Sequence, residues 1–234
     1  MPKPHRIASA KHIDDAIAAL IAADKRFHPM VKRAGKPPFL PRRKHGFEAL
    51  MDIVVSQQLS IAAADTIFGR VKEKVVPFDP ATMLATEPET LRACGLSAPK
   101  QKHMKSIASA ILEGTLDLKR VRALHDDDAR AHLTAIKGIG PWTADIYLMS
   151  SLGRADVWPV ADVGLQAALT RVLGLRKRPN EKQMEKLSQT WRPWRTVAAR
   201  LLWTHEDGIR REKREAEKRT KAERAGKRTK KKNK

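Results

Sequence analysis

The chain has 234 residues, which is enough for one large domain or two small ones around a buried core. Its 47 Lys and Arg outnumber 26 Asp and Glu, and the resulting formal net charge of +21 indicates a polyanionic partner. A single cysteine excludes a disulfide framework and a four-cysteine metal site within the chain, and no apolar run is long enough to span a membrane. The first residues also lack the continuous apolar core of a secretory signal, so we expect a protein of the reducing cytoplasm.

The stretch from residue 28 to residue 44, HPMVKRAGKPPFLPRRK, is rich in proline and basic residues. Proline interrupts hydrogen-bonded structure, so we predict an extended crossing over the surface here. With a helix before it, this crossing makes residues 1–44 an N-terminal segment that packs on the body of the protein.

Apolar residues recur at helical spacing through most of the chain, and no segment alternates as a half-buried strand does. Ser60 is a predicted N-cap, and Gly114 and Gly174 are predicted to end two of the helices. The fold class is therefore predicted to be all-α. The stripes that predict helices are Phe47 to Val55, Phe68 to Val75, Met104 to Leu112, Leu165 to Leu173 and Trp194 to Leu202.

The most informative segment is Leu133 to Ala144, LTAIKGIGPWTA. Gly138 and Gly140 flank one apolar residue, and glycines allow a positive φ and a close approach of the backbone to an anion. Pro141 suits the first turn of a helix, because its missing N–H would have no partner there. We predict two helices joined by a glycine hairpin that binds a phosphate, and the alternative is an ordinary turn with a glycine cap.

An acidic residue follows the hairpin in the segment DVWPVADVG, residues 156–164. Asp162 is a candidate catalytic carboxylate, and it could also cap a helix that begins near Val163. Asp156, Asp145 and the run at 126–128 are competing carboxylates. We rank Asp145 and the run lower, since Asp145 falls within a helix and the run fits the first turn of one.

The segment from residue 208 to residue 234 is almost devoid of apolar residues. From Arg210 onward it holds 14 Lys and Arg against 4 Glu, which leaves +11 of the net charge on the rest of the chain. Such a segment buries too little surface to offset the entropy of ordering it, so we predict disorder or a frayed helix. It either attracts DNA non-specifically or only keeps the protein in solution.

Four segments of the chain resemble, in order, the helix-hairpin-helix base-excision DNA glycosylases, and within them the DNA-3-methyladenine glycosylase II group. The resemblance implies two helical lobes with the active site in the cleft between them. It places the glycosylase body at residues 45–207 and the helix-hairpin-helix at residues 133–149. The segments are IVVSQQLS at 53–60, CGLSAPKQKHMKSIA at 94–108, LTAIKGIGPWTADIYLM at 133–149 with DVWPVADVG at 156–164, and WRPWRTVAARLLW at 191–203.

The resemblance implies a role for three of these residues. Asp162 matches the family's catalytic aspartate, whose carboxylate stabilises positive charge on the sugar or orients the attacking water. Gln58 falls where the family places the residue that fills the gap left by a flipped base, and Leu59 could wedge beside it. The sequence leaves open which of the two enters the gap, and the alternative for Gln57 and Gln58 is a polar loop.

Trp142 and Trp203 match tryptophans of the family's substrate pocket. There an indole face attracts a cationic, alkylated base more than a neutral one. Trp191 and Trp194 are expected in the core, whereas Trp158 fits either place.

The hairpin residues expected to bind DNA are Lys137, Gly138, Ile139 and Gly140. In the family, such a hairpin can hold a monovalent cation against a DNA phosphate, and the sequence permits one at residues 137–140. Cys94 stands alone, so the chain has no ligands for the iron–sulfur cluster of some relatives. We expect no other cofactor.

Family members that also cut the DNA backbone carry a lysine nucleophile where this chain has Trp142. Without that amine no Schiff base can form there, so the resemblance implies a monofunctional glycosylase that leaves an abasic site. The expected substrate is an alkylated purine of the 3-methyladenine type in double-stranded DNA, and the chain is expected to act as a monomer associated with the bacterial nucleoid. Two alternatives stay open: a non-catalytic module that only binds DNA, and a glycosylase for another lesion such as hypoxanthine or ethenoadenine.

Overall fold

The computed structural model describes residues 6–37 and 44–232. In this part of the chain the regular structure is helical, and the only β-type contact is one isolated bridge between Arg6 and Arg154. The predicted all-α fold class is therefore confirmed. None of the described helices is both long and apolar enough to cross a bilayer.

The described residues form thirteen α-helices, and a short 3-10 turn, Gln189–Trp191, joins the last two. The helices are α1 (Ala10–Ala23), α2 (Phe27–Ala34), α3 (Phe47–Ser56), α4 (Ile61–Lys74), α5 (Pro80–Ala85), α6 (Pro88–Ala93), α7 (Ala98–Leu112), α8 (Leu118–Ala123), α9 (Asp126–Thr134), α10 (Pro141–Ser150), α11 (Val163–Val172), α12 (Glu181–Leu187) and α13 (Arg195–Lys232).

Local signals fix several of the helix ends. Ser60 caps α4 as predicted, since its Oγ accepts the N–H of Ala63 at 3.3 Å. Asp79 caps α5 in the same way, with Oδ1 2.8 Å from the nitrogen of Thr82. Gly174 follows the end of α11 with a φ of 61°, the left-handed conformation that glycine tolerates at a helix C-terminus.

The predicted apolar stripes lie in the core of the protein. Leu112 is an exception with 55% of its surface exposed, because it is the last residue of α7. Each of the five stripes supplies fully buried residues, for example Val54, Val71, Met104, Leu169 and Leu201.

Two groups of helices form the two lobes. In the first group, α3 packs against α4 and α7, and α7 packs against α5 and α6. In the second group, α13 packs against α1, α2 and α11. α10 packs against both α9 and α3, so the hairpin between α9 and α10 reaches the first group.

The expectation of an extended segment over residues 28–44 is wrong for its first part. Residues Phe27–Ala34 form helix α2, which buries Phe27 and Met30 in the core. Pro29 does not prevent this, because it stands in the first turn, where a backbone N–H has no partner within the helix. Residues 38–43 of the predicted crossing lie outside the described residues.

α13 runs from the core into the basic C-terminal segment. Its first turns are buried, whereas residues 210–218 are all exposed. The structure continues this helix to Lys232. The sequence predicts either disorder or a frayed helix for residues 208–234. Glu212 forms an ion pair with Arg33 of α2, which ties the beginning of the exposed part to the body.

Candidate active site

A cleft of about 990 Å³ opens between the two lobes. Its walls are residues 56–59, residues 134–143 and residues 161–164, with His103 and Glu181 completing the lining. Every site residue predicted from the sequence lies along these walls except Trp203, which reaches the same place from α13. The fold thus brings together segments that are more than 100 residues apart in the chain.

Asp162 is both the cap of α11 and a wall residue of the cleft. Its Oδ1 accepts the N–H of Leu165 at 2.6 Å, the arrangement of an N-cap. The indole Nε1 of Trp203 donates to the same oxygen at 3.1 Å, and the Nε1 of Trp142 donates to Oδ2 at 2.7 Å. Three N–H donors therefore fix the orientation of the carboxylate, and the two interpretations of Asp162 are compatible in geometry.

The two predicted pocket tryptophans contact Asp162 through their indole nitrogens. Trp142 is the second residue of α10 and lines the cleft, while Trp203 lies on α13. Both side chains are half-buried. The attraction of an indole face for a cationic base stays a prediction, since the contacts observed here are made by the N–H edge.

The two hairpin glycines have different backbone conformations. Gly138 adopts a φ of 99°, and a Cβ built on it would lie 2.8 Å from Cβ and 2.9 Å from Cα of His103. Gly140 has an ordinary φ of −83°, and a Cβ there would meet nothing within 4 Å. The expectation of two glycines with positive φ is therefore right for Gly138 only, because Gly140 is simply the residue before α10. Gly138 is required for the hairpin to lie directly on α7.

The hairpin presents free amides at the cleft. The N–H of Ile139 donates to the carbonyl of Ile136 at 3.0 Å, whereas the N–H groups of Lys137, Gly138 and Gly140 donate to no other described residue. The side chain of Ile139 is buried, and that of Lys137 is exposed. Free amides beside the first turn of α10, the positive end of its dipole, make this surface suited to an anion.

The loop between α3 and α4 forms the edge of the cleft. Gln58 is exposed and has a φ of 56°, and it is the one described residue other than glycine with a positive φ. Leu59 is 39% exposed. The side chain of Gln57 turns back, and its Nε2 donates to Oγ1 of Thr143 on α10 at 2.8 Å. Gln57 is thus a structural residue of the site, while Gln58 and Leu59 are free to contact a ligand.

Sequence reasoning missed Lys100 as a residue of this site. Lys100 lies in the first turn of α7, and its Nζ donates to the carbonyls of Val55 and Gln57 at 2.7 and 2.8 Å. It falls within the segment 94–108 that carries the family resemblance, but no local pattern indicates the carbonyls that it would bind. The same holds for the contact of His103 with the hairpin.

The competing carboxylates all lie outside the cleft lining. Asp145 is buried on α10, and its Oδ1 accepts a hydrogen bond from Nε of Arg130 at 2.6 Å. Burial raises the pKa of Asp145 to about 6, and the nearby guanidinium of Arg130 offsets only part of that effect.

Asp156 pairs with Arg192 and Arg195 at 2.6 and 2.8 Å. The three aspartates at 126–128 occupy the first turn of α9, as predicted.

The other tryptophans belong to the core. Trp191 and Trp194 are buried as expected, and Trp158 joins them with an exposed fraction of only 2%. Trp158 donates through Nε1 to the carbonyl of Met184 at 3.0 Å and packs edge to face on Trp191. The open question about Trp158 is settled in favour of the core.

Comparison with known proteins gives the family to which this sequence and fold belong. The family model of HhH-GPD superfamily base excision DNA repair proteins matches residues 51–193. DNA-3-methyladenine glycosylase 1 of Schizosaccharomyces pombe is 35% identical over 191 residues, which covers 79% of this chain and 83% of that protein. The alkylbase DNA glycosidase-like protein mag2 of the same yeast is 30% identical over 190 residues, which covers 79% of this chain and 89% of that protein.

A solved structure shows the same architecture at the level of the whole chain. The 3-methyladenine DNA glycosylase of S. pombe in complex with abasic DNA has a TM-score of 0.74 and 32% sequence identity with this chain. The match covers 81% of this chain and 95% of that chain. The family model spans more than half of the residues, including the hairpin and Asp162, and the chain therefore belongs to the HhH-GPD superfamily of base excision DNA repair proteins.

Proposed function

We propose that this chain is a monofunctional DNA glycosylase that hydrolyses the N-glycosidic bond of alkylated purines of the 3-methyladenine type and leaves an abasic site. The observation that carries the proposal is the carboxylate of Asp162, held by three N–H donors on the wall of an open cleft. The free amides of the hairpin line the same cleft. The similar yeast proteins are named a DNA-3-methyladenine glycosylase and an alkylbase DNA glycosidase-like protein, which supports the same chemistry here.

The carboxylate of Asp162 would act on the charge that develops during cleavage. As the base departs, positive charge builds on the deoxyribose, and a nearby carboxylate stabilises it or orients the attacking water. Because both oxygens of Asp162 already accept hydrogen bonds from fixed donors, the carboxylate does not reorganise as the charge forms. Trp142 and Trp203 therefore support the catalytic group as well as shape its surroundings.

The hairpin would grip the DNA backbone. Phosphate oxygens are suitable acceptors for the free N–H groups of Lys137, Gly138 and Gly140, and the exposed ammonium of Lys137 adds a favourable charge. Ile139 offers no free N–H to a phosphate, because its amide donates to the carbonyl of Ile136, and its side chain is buried beneath the hairpin.

Gln58 and Leu59 would disrupt the duplex. A base stacked in DNA is out of reach of Asp162, so the nucleotide has to rotate into the cleft and leave a gap behind. Both side chains are exposed at the cleft edge and can enter that gap, Gln58 by hydrogen bonding to the orphaned base and Leu59 as an apolar wedge.

Selectivity for an alkylated base would come from charge and aromaticity. A cationic base gains about 0.5–2 kcal/mol from each good contact with an indole face, which a neutral base does not gain. Trp142 is the indole at the cleft wall. A positive charge on the base also weakens its glycosidic bond, so one carboxylate without a base-protonating acid suffices for such lesions.

The absence of strand cleavage is part of the proposal. The lysine of the bifunctional relatives would stand at Trp142, whose Nε1 is instead bound to Asp162. Of the described lysines only Lys137 lines the cleft, and it belongs to the hairpin that we assign to phosphate binding. Among the described residues, no lysine other than Lys137 is thus available to attack a sugar bound in the cleft.

The hairpin also fits the monovalent cation that the family can hold there. Residues 137–140 offer backbone carbonyl oxygens and no carboxylate, a donor set of low charge that suits a monovalent ion better than a divalent one. Such an ion would add positive charge beside the bound phosphate. We further propose that the chain works as a monomer, without an iron–sulfur cluster, on the DNA of the bacterial nucleoid.

The test is a base-release assay with a panel of duplexes that carry 3-methyladenine, 7-methylguanine, hypoxanthine or ethenoadenine. We expect 3-methyladenine to be released, and Asp162→Asn to lose release while binding DNA like the parent. Asp79→Asn is the matched control, because Asp79 caps α5 by the same contact outside the cleft. DNA binding without release from any duplex would favour the non-catalytic module, and release of another base alone would change the assigned lesion.

A further inference from the structure

The loop that carries Gln58 and Leu59 is held in a conformation that the chain does not adopt freely. A φ of 56° at Gln58 lies in the left-handed region, where the side chain of a non-glycine residue crowds the backbone. Such a conformation persists only when the surrounding structure fixes it. The contacts that fix residues 57–59 are therefore informative.

Lys100 makes the strongest of these contacts. Its ammonium bridges the carbonyl of Val55 in the last turn of α3 and the carbonyl of Gln57, directly before Gln58. α3 has no basic residue in its own last turn, so the end of the helix is compensated from α7. Lys100 thus caps the C-terminus of α3 and fixes the peptide group between Gln57 and Gln58.

α7 itself gives no reason for a lysine at this position. A cation in the first turn of a helix is disfavoured by the helix dipole, and Lys100 is the third residue of α7. Among the described residues it forms no ion pair with a carboxylate, and burial lowers the pKa of its ammonium. The side chain is therefore placed at a cost to α7, and its two hydrogen bonds serve the loop.

Other contacts hold the loop from the remaining sides. The Nε2 of Gln57 donates to Thr143, which follows Trp142 on α10, and the N–H of Leu59 donates to the carbonyl of Ser56 at 3.2 Å. The loop is thus connected to the helix that carries a donor to Asp162. Only the side chains of Gln58 and Leu59 are left free at the cleft edge.

We propose that Lys100 is a positioning residue that presets the 57–59 loop for insertion into the duplex, before DNA binds. This inference rests on the proposed function, since it takes the loop as the element that fills the gap of a flipped nucleotide. The rigid loop would enter the stack without first losing conformational freedom. Without the ammonium, Gln58 would relax out of the left-handed region and insertion would become less favourable.

The same helix offers a matched control. Lys105, five residues further along α7, donates from Nζ to the carbonyls of Leu84 and Thr86 at 3.1 and 2.7 Å. These carbonyls lie at the end of α5, outside the cleft lining. Lys105 therefore repeats the contact of Lys100, two carbonyls at the end of a helix, at a place outside the cleft.

The experiment compares Lys100→Met and Lys105→Met in the full chain. The probe is a duplex with a tetrahydrofuran abasic-site analogue next to 2-aminopurine, whose fluorescence rises when insertion unstacks it. Loss of a charge-assisted hydrogen bond predicts an insertion equilibrium about tenfold weaker for Lys100→Met, with Lys105→Met like the parent. Both variants should lower Tm by similar amounts and bind intact duplex like the parent. If Lys100→Met does not fold, Lys100→Gln, which keeps a donor nitrogen and loses the charge, is measured in the same way.

Parent-like insertion by Lys100→Met, or an equal loss in both variants, would overturn the inference, because Lys100 would then act only on stability. The probe has no glycosidic bond to a base, so the measurement does not require catalysis. A parent protein that inserts but releases no base would contradict the proposed function and leave this inference standing.

Discussion

Trp142 donates its indole N–H to Asp162 over 2.7 Å, and the family resemblance places the lysine of bifunctional glycosylases at this same position. Under the proposed function, Trp142 takes the place of the lysine needed for strand cleavage, and its N–H orients the carboxylate that acts in base release. Trp142→Phe keeps an aromatic ring and removes the donor. A hydrogen bond to a charged group contributes about 1.5–3 kcal/mol, so we expect single-turnover release to slow by about tenfold or more.

Trp191→Phe is the control for this prediction. Trp191 also donates from Nε1 to an aspartate, Asp24, at 3.2 Å, but in the core between α1 and α2. It should lower stability and leave the rate of base release in the folded protein unchanged. Equal rates for Trp142→Phe and the parent would show that the indole N–H does not contribute to catalysis.

The hairpin glycines should respond differently to alanine. Gly138→Ala places a Cβ 2.8 Å from His103 in a left-handed conformation, which costs about 1–2 kcal/mol from the backbone alone. The hairpin has to lift from α7, and we expect the affinity for duplex DNA to fall by about tenfold. Gly140→Ala meets open space at an ordinary φ and should keep parental stability. Fluorescence anisotropy at two salt concentrations measures the affinity for DNA, and thermal unfolding measures the stability. Unchanged affinity in Gly138→Ala would show that the hairpin is only a turn and does not bind DNA.

Substitution of Gly164 should affect the rate of base release and the stability of the protein in different ways. A Cβ at this position in α11 would lie 3.2 Å from Oδ1 of Asp162 and 3.9 Å from Nε1 of Trp203. Gly164→Ala should therefore displace the carboxylate and slow base release, although alanine is favoured in a helix by up to about 1 kcal/mol. Gly69→Ala, in the exposed part of α4 with nothing within 4 Å, should raise the free energy of unfolding and leave release unchanged. Parental release by Gly164→Ala would mean that the carboxylate tolerates displacement.

Asp145 predicts a pH dependence of stability. Its pKa is raised from 3.8 to about 6 in the folded protein, so the folded state binds a proton more tightly than the unfolded state. The free energy of unfolding should fall as the pH rises from about 4 to about 6, by about 3 kcal/mol from this group. Asp145→Asn lacks the ionisation, so its stability should decline less than that of the parent over this interval. Denaturant unfolding at pH 4, 5, 6 and 7 measures the difference, and parallel profiles would contradict the assignment.

Local features of the fold could be predicted because their signals are short-range. Ser60 as a cap, Pro141 at a helix start and a positive φ at Gly138 each depend on a few neighbouring residues. The wrong prediction of an extended chain at residues 28–34 also comes from relying on short-range signals. Prolines and basic residues favour an extended chain locally, but the burial of Phe27 and Met30 against distant helices favours α2.

The sequence by itself determined the helical class, the glycine hairpin and the position of the carboxylate, because each depends on residue type and spacing within one or two turns. Only the tertiary structure decided what surrounds that carboxylate: the indoles that meet at Asp162 lie 20 and 41 residues away in the chain. The bridge from Lys100 to the 57–59 loop likewise spans more than 40 residues. Such contacts follow from how the helices pack, and no periodicity of a single helix specifies which side chains meet across a cleft.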